Sequence, residues 1–365
     1  MEVTDMATIM KQVRMVFDLN KCLGCHTCSM ACKTVWTDRN QGQQYMYWNN
    51  VETRPGSGYP KGWETMGGGF PGCGNQVSLT SPIPSIATEY GAPWEYNYGE
   101  VLTTTLANVG DVSAPISSQI VPSPDPAGPT AYSSNWDEDV GGGTFPDSYY
   151  FYLPRICNHC TKPACLAACT RKAIYKREED GIVLVDQNRC RGYRHCIKGC
   201  PYKKVYWNQV EEVSQKCIFC YPRRTDKLQT SDPQPGMDPP FRANFCFTQC
   251  PGRIRYVGYS DNPNANVNKL IDVYQVALRL HPEFGTDPNL WYIPPLSPPV
   301  DGGTDRRIPV DFLANLFGDN CAQTHIDRVA RINQIFTTIE SARTGGNPGL
   351  AGILTAYAEA DRLQL

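Results

Sequence analysis

The chain has 365 residues with 41% hydrophobic and 19% charged content, enough apolar material for a buried core, and this excludes a disordered protein. A formal net charge of −2 excludes the strong basic excess that drives nucleic-acid binding. Seventeen cysteines, an odd number in tight repeated spacings, disfavour the framework of small disulfide-rich domains and point to metal.

Residues 1–14 hold neither an apolar h-region nor a small-residue cleavage pattern, so no signal peptide is expected. Nowhere does an apolar run approach the roughly 20 residues that span a bilayer, so membrane attachment is expected only through partners. A short alternating strand (Val13, Met15, Phe17) leads into the first cysteine cluster. Residues 37–150 carry a single cysteine, Cys73, and are dense in Gly, Pro, Ser and Tyr, which predicts irregular structure with few short strands. The aromatics of this insertion (Tyr45, Tyr47, Trp48, Trp63, Trp94, Tyr96, Tyr98, Trp136) favour a partner-binding surface over a flexible linker. Between 151 and 260 lie three more cysteine clusters, with strands expected at Gly181–Asp186 and Lys204–Asn208. The remainder predicts an amphipathic helix over Val267–Leu280, a Pro-rich stretch from Tyr292 to Pro299, and helices at about 323–343 and 348–363 that wrap the core or a partner.

The first cluster reads Cys22-x2-Cys25-x2-Cys28-x3-Cys32, the ferredoxin spacing. Three thiolates on one tight loop suit three corners of a cubane, and the fourth turns toward a second cluster. Structural zinc prefers two separated knuckles and fits this crowding badly. The second cluster, Cys157-x2-Cys160-x4-Cys165-x3-Cys169, is the same device with a longer loop stiffened by Pro163. The fourth opens with Cys217-x2-Cys220 and, after a 25-residue insertion, closes with Cys246-x3-Cys250-Pro251. Such an insertion costs little, because loop-closure entropy grows logarithmically with length.

The third cluster reads Cys190-Arg191-Gly192-Tyr193-Arg194-His195-Cys196-x3-Cys200-Pro201, with Tyr193 where the spacing puts the second cysteine. A phenol is bulky and protonated at neutral pH, hence a poor iron ligand, so a [3Fe–4S] cluster with a vacant corner at Tyr193 is expected. His195, expected to point elsewhere, is the alternative that could close that corner. Pairing the motifs from the outside in gives four ligand sets. Cys22, Cys25, Cys28 and Cys250 hold a first [4Fe–4S] cluster, and Cys32, Cys217, Cys220 and Cys246 a second. Cys157, Cys160, Cys165 and Cys200 hold a third, and Cys169, Cys190 and Cys196 hold the [3Fe–4S] cluster, about fifteen irons in all. Cys73 and Cys321 are left as free thiols. Four clusters in one chain make a wire, with no catalytic residue of its own. The basic residues around motifs three and four (Arg191, Arg194, Lys198, Lys203, Lys204, Lys216, Arg223, Arg224, Arg253, Arg255) either raise cluster potentials or form a solvated docking face.

The expected fold class is α+β: two ferredoxin-like modules of the bacterial dicluster type, a long irregular insertion and a helical C-terminal extension. Residues 1–36 plus 201–260 form the first module, 37–150 the insertion, 151–200 the second module and 261–365 the extension.

Beyond the cysteines, Phe17–Cys22, Tyr47–Thr53, Cys190–Lys204, Lys216–Arg223, Gly252–Tyr256, Asp287–Asn289 and Tyr292–Pro295 resemble the iron–sulfur beta subunits of the nitrate reductase branch (type II) of the dimethyl sulfoxide reductase molybdoenzyme family. The resemblance implies an alpha subunit with a molybdenum bis-pterin cofactor and a haem b gamma subunit, with the three-iron cluster at the haem end. Tyr193, and the insertion with Pro60–Glu64, are most similar to the ethylbenzene and dimethyl sulfide dehydrogenase and the selenate, chlorate and perchlorate reductase members. That implies a periplasmic complex, co-exported with a signal-bearing alpha subunit. The alternative is a cytoplasmic-facing respiratory nitrate reductase or nitrite oxidoreductase. A formate dehydrogenase or polysulfide reductase module, a zinc scaffold and an iron–sulfur catalyst are the competing classes, and Tyr193 argues against the first.

Overall fold

The computed structural model describes residues 11–37, 41–70, 82–90, 149–223, 243–300, 303, 305–319 and 324–364. Cys73, Cys321, and Trp94, Tyr96, Tyr98 and Trp136 of the insertion lie outside the described residues. In chain order the strands are β1 (Val13–Asp18), β2 (Asn50–Arg54), β3 (Phe151–Arg155), β4 (Ile174–Lys176), β5 (Val183–Val185), β6 (Tyr206–Asn208), β7 (Val213–Gln215), β8 (Arg255–Tyr259), β9 (Arg279–Leu280), β10 (Leu290–Ile293), β11 (Phe317–Gly318) and β12 (Leu363–Gln364). With short helices between them, the fold is of the α+β class.

The principal sheet has the order β10-β1-β8-β12. β1 runs antiparallel to β8, pairing Met15 with Val257, and parallel to β10, pairing Met15 with Leu290. Val13, Met15 and Phe17 are buried as alternation predicts, but so is Val16, because this inner strand is covered on both faces. Arg14 escapes by reaching Asp272 at 2.8 Å. This sheet joins the residues before the first cysteine cluster to those after the last. The strands expected at 181–186 and 204–208 are present as β5 and β6, each in a two-stranded antiparallel pair, with β4 and β7.

The long insertion leaves and returns through one antiparallel pair, β2 with β3, in which Glu52 faces Leu153. Its ends therefore meet, and extra length between them carries only a logarithmic entropy cost. Tyr45, Tyr47, Trp48 and Trp63 are buried within this chain, which corrects the expectation that they form a partner surface. The Tyr206 hydroxyl donates to the Tyr47 carbonyl at 2.5 Å, and the Arg155 guanidinium lies 3.7 Å from the Trp63 ring centre. These contacts seat the start of the insertion on the cysteine-bearing core.

The tail differs from its periodicity in two places. The helix expected over Val267–Leu280 is a short turn, Asn266–Asn268, running into a π-turn at Lys269–Val273. Gln275 then takes a left-handed φ of 51° and the chain becomes β9. Val276, Ala277, Leu278 and Leu280 are buried as an extended segment, with Leu278 bridging Tyr292, so their apolar spacing serves a strand. The stretch 348–363 is a helix only over Pro348–Leu354, then a single turn at Glu359–Arg362, and ends as β12 against β8. The helix near 323–343 forms as expected at His325–Arg343, where Thr324 and Asp327 make a reciprocal capping box.

Candidate metal centres

Fifteen cysteines fall in the described residues and all are free of disulfides. They line four cavities. The first is walled by Cys22, Cys25, Cys28 and Cys250, and the second by Cys32, Cys217, Cys220 and Cys246. Cys157, Cys160, Cys165 and Cys200 surround the third, and Cys169, Cys190 and Cys196 the fourth, together with Tyr193 and His195.

Four short helices build this arrangement in pairs. Helix Thr27–Cys32 presents Cys28 to the first cavity and Cys32 to the second. Helix Phe245–Thr248 does the converse, with Cys246 on the second cavity and Cys250, just past its end, on the first. Ala164–Ala167 and His195–Gly199 repeat the exchange: Cys165 and Cys200 face the third cavity, Cys169 and Cys196 the fourth. The two cysteines of each helix are four residues apart, one helical turn or roughly 6 Å, so one helix serves two neighbouring cavities. A Cβ on Gly199 would stand 2.7 Å from Ala168 Cβ, so glycine is what lets the second pair approach.

The loops carry left-handed residues between cysteines: Gly24 and His26, His159, Gly192 and Arg194, then Phe219 and Cys220. Alternating handedness turns successive N–H groups inward and makes a nest for anions. Backbone N–H groups accordingly donate to sulfur: Phe219 to Cys217 and Ser214 to Cys190 at 3.4 Å, and Ala173 to Cys169 at 3.3 Å. Side chains add Trp36 Nε1 to Cys220 Sγ at 3.2 Å and a Ser214 Oγ contact with Cys196 Sγ at 3.3 Å.

Burial pushes the Cys22, Cys196 and Cys246 thiols up to about 12. Cys32 and Cys165 go well above the usual thiol value for the same reason, with neighbouring thiols adding to it. Such groups ionise at neutral pH only against a bound cation, which is how a metal deprotonates its thiol ligands. Among the described residues, no three His, Cys, Asp or Glu side chains converge on one ion position. The thiols instead stand around a volume, so sulfur-only donors, free thiols and N–H groups aimed at sulfur fit an iron–sulfur cluster.

The cavities form a row. The Cys246 thiol of the second lies within electrostatic reach of Cys28 and Cys250 of the first, and Cys217 within reach of Cys157 of the third. The row opens at both ends, at exposed Cys25 and at Tyr193, which is 57% exposed at the lip of the fourth cavity. All four cysteines of the second cavity are buried. His195 departs from expectation: it lines the fourth cavity, and its Nδ1 is buried without a partner. Sequence reasoning missed Trp36, Ser214 and Thr286 as neighbours of the thiols, although Trp36 sits four residues after Cys32 on a continuing helical turn.

The fold and cavities define an iron–sulfur electron-transfer subunit. Residues 148–260 match the 4Fe-4S dicluster domain. The chain is 50% identical over 316 residues to the dimethylsulfide dehydrogenase subunit beta of Rhodovulum sulfidophilum, covering 85% of this chain and 87% of that one. It is 50% identical over 320 residues to the selenate reductase subunit beta of Thauera selenatis, covering 86% and 88%. Against the respiratory nitrate reductase subunit beta of Haloferax mediterranei it is 46% identical over 363 residues, covering 97% and 93%. The chain belongs to the family of iron–sulfur beta subunits of dimethyl sulfoxide reductase-type molybdoenzymes.

Proposed function

We propose that the chain passes electrons through three [4Fe–4S] clusters and one [3Fe–4S] cluster, between a molybdenum bis-pterin catalytic subunit and a haem b subunit. The observation that carries this reading is the partition of fifteen cysteines into four walls in a row, open at each end. Cys22, Cys25, Cys28 and Cys250 would hold the first cluster, and Cys32, Cys217, Cys220 and Cys246 the second. Cys157, Cys160, Cys165 and Cys200 would hold the third, and Cys169, Cys190 and Cys196 the three-iron cluster, with Tyr193 at its open corner. When bound, the clusters supply one-electron storage at successive points. The chain's own residues fix thiolate positions, direct N–H groups to sulfur and exclude water from the second cavity.

Paired helices support a two-module organisation, 1–36 with 201–260 and 151–200, with 37–150 as a partner-facing insertion outside its buried aromatics and 261–365 as a helical extension. The names of the similar beta subunits support a dehydrogenase or oxyanion reductase complex, and the periplasmic placement, co-exported with a signal-bearing alpha subunit, is what the family resemblance of Tyr193 and Pro60–Glu64 implies. No described helix is long and apolar enough to cross a membrane. The alternative, a respiratory nitrate reductase, is supported by likeness to nitrate reductase beta subunits.

The native complex, gently purified, should contain about fifteen irons in this chain with matching sulfide. Stoichiometric zinc without iron would overturn the reading. A second reading, His195 closing the fourth corner, is favoured by its place among the residues lining that cavity and by its buried, unpartnered Nδ1. EPR of the oxidised complex separates the two: a three-iron signal supports the open corner, and its absence supports His195.

A further inference from the structure

Of the ten basic residues around motifs three and four, all but Arg224 lie in the described residues, and burial sorts those nine. Arg191 and Arg194 are exposed and Arg253 half-buried, whereas Arg255 is 0% and Lys216 1% exposed. Arg255 leaves β8 toward the wall between the first and second cavities. Its Nη2 donates to Asn49 Oδ1 at 3.2 Å, and its guanidinium lies 5.0 Å from the Phe17 ring centre. Its side chain also hydrogen-bonds the Cys28 thiol, and among the described residues no carboxylate pairs with it. The thiols of Cys28 and Cys250 from the first cavity and of Cys246 from the second lie within electrostatic reach of it.

Lys216 repeats the arrangement one cavity further on. Its Nζ lies 3.5 Å from Cys157 Sγ of the third cavity. It also donates to the Val183 carbonyl, and at 3.1 Å to the carbonyl of Cys217, a cysteine of the second cavity. No carboxylate pairs with it among the described residues.

An unpaired buried cation is strongly unfavourable unless a nearby anion offsets its lost hydration. Among the described residues the anionic groups in reach are thiolates, and each cluster reduction adds one negative charge beside them. We propose that Arg255 and Lys216 are the potential-setting charges of the row, Arg255 serving the first and second clusters together and Lys216 the second and third. The second cluster lies between both cations and the fourth cavity touches neither, so the charges grade the row. Attraction between a buried cation and an added electron scales inversely with distance and local dielectric, and is largest in a dry interior. The inference rests on the cluster ligation proposed above.

The test is an EPR-monitored redox titration of the whole purified complex. In Arg255→Gln the first and second clusters should become harder to reduce, with the reduced-to-oxidised ratio at fixed potential falling about tenfold, or 59 mV for one electron. The third and three-iron clusters should not move, and Arg255→Lys should stay near wild type. Lys216→Met should shift the second and third clusters in the same sense. Fully loaded Arg255→Gln and Lys216→Met complexes with unmoved potentials would overturn the inference, as would equal shifts in Arg255→Gln and Arg255→Lys. If Arg255→Gln fails to load iron, Lys216→Met decides: a negative shift of clusters two and three supports the inference, and none rejects it. A wild-type complex without the expected iron would instead defeat the ligation itself.

Discussion

In the proposed reading, Tyr193 is the residue on which the composition of the row turns. It stands at the cysteine position of the spacing, on the exposed lip of the fourth cavity, with its ring centre 6.3 Å from that of His195. Tyr193→Cys restores a fourth thiol at the end of a nest already shaped for one, so the oxidised variant should lose its three-iron EPR signal and gain one iron. A retained three-iron signal would show that the loop, not the missing thiol, keeps the corner open. Gly24 is the backbone counterpart in the first loop. At φ 66° it occupies the left-handed region, and a Cβ there would lie 2.4 Å from Tyr152 Cε1. Gly24→Ala therefore meets backbone strain and a ring at once, costing more than about 1 kcal/mol. Thermal unfolding should register this, with iron lost from the first cavity before the others.

At the scale of elements, a buried ionic network ties the insertion to the core. Glu52 of β2 is gripped by Arg155 at 2.6 Å and Arg54 at 2.7 Å, and Arg54 also reaches Glu64. His281 bridges Glu64 and Glu283, each at 2.6 Å, and Arg328 of the long helix joins Glu283 at 2.9 Å. Burial alone would lower the His281 pKa, but hydrogen bonds to Glu283 and Glu64 outweigh it and raise the value above the ordinary 6.5. Burial likewise raises Glu64, but the His281 and Arg54 contacts bring it down to about 2. The His281 contribution is thus complete below about pH 6.5 and is lost as pH rises through its folded value. The Glu64 contribution is complete above about pH 4.5 and is lost as pH falls toward 2. The melting-temperature gap between wild type and His281→Gln should be widest near pH 5–6 and narrow on the alkaline side; a gap that widens with pH would reject the ion-pair account. Sequence gave no sign of this network, because Glu64 and His281 are 217 positions apart. Elements set by local chemistry were legible: the loops around each cysteine motif, the helix at about 323–343, and the strand through Val13, Met15 and Phe17. The break after Val273 was not, because apolar residues at helical spacing also suit a buried strand once β10 offers a partner.

At the scale of the molecule, which cysteines line which cavity follows from spacing, because spacing fixes which thiols share a loop and one helical turn fixes which face the neighbouring cavity; that each set holds a cluster is the proposal above. The position of Arg255 between two cavities was not legible there, because it depends on β8 lying beside β1 across more than two hundred residues. The same packing grades access to solvent along the row. The second cavity is walled by four buried cysteines, whereas the first reaches the surface at Cys25 and the fourth through half-buried Cys169 and Cys190 beside exposed Tyr193. Oxidants and chelators attack thiolate and iron where solvent reaches them. In the native complex a partner seated over an end would protect it; in the isolated chain both ends face water. Timed exposure of the isolated, iron-loaded chain to a chelator in air should therefore bleach the first and fourth sites early and the second site last. Iron counts and EPR signals report each step. Adding back a catalytic subunit should protect whichever end it covers, which identifies the end of the row that it contacts. Simultaneous loss of all four signals would mean that the sites fail through global unfolding, and that the burial gradient does not govern their lifetimes.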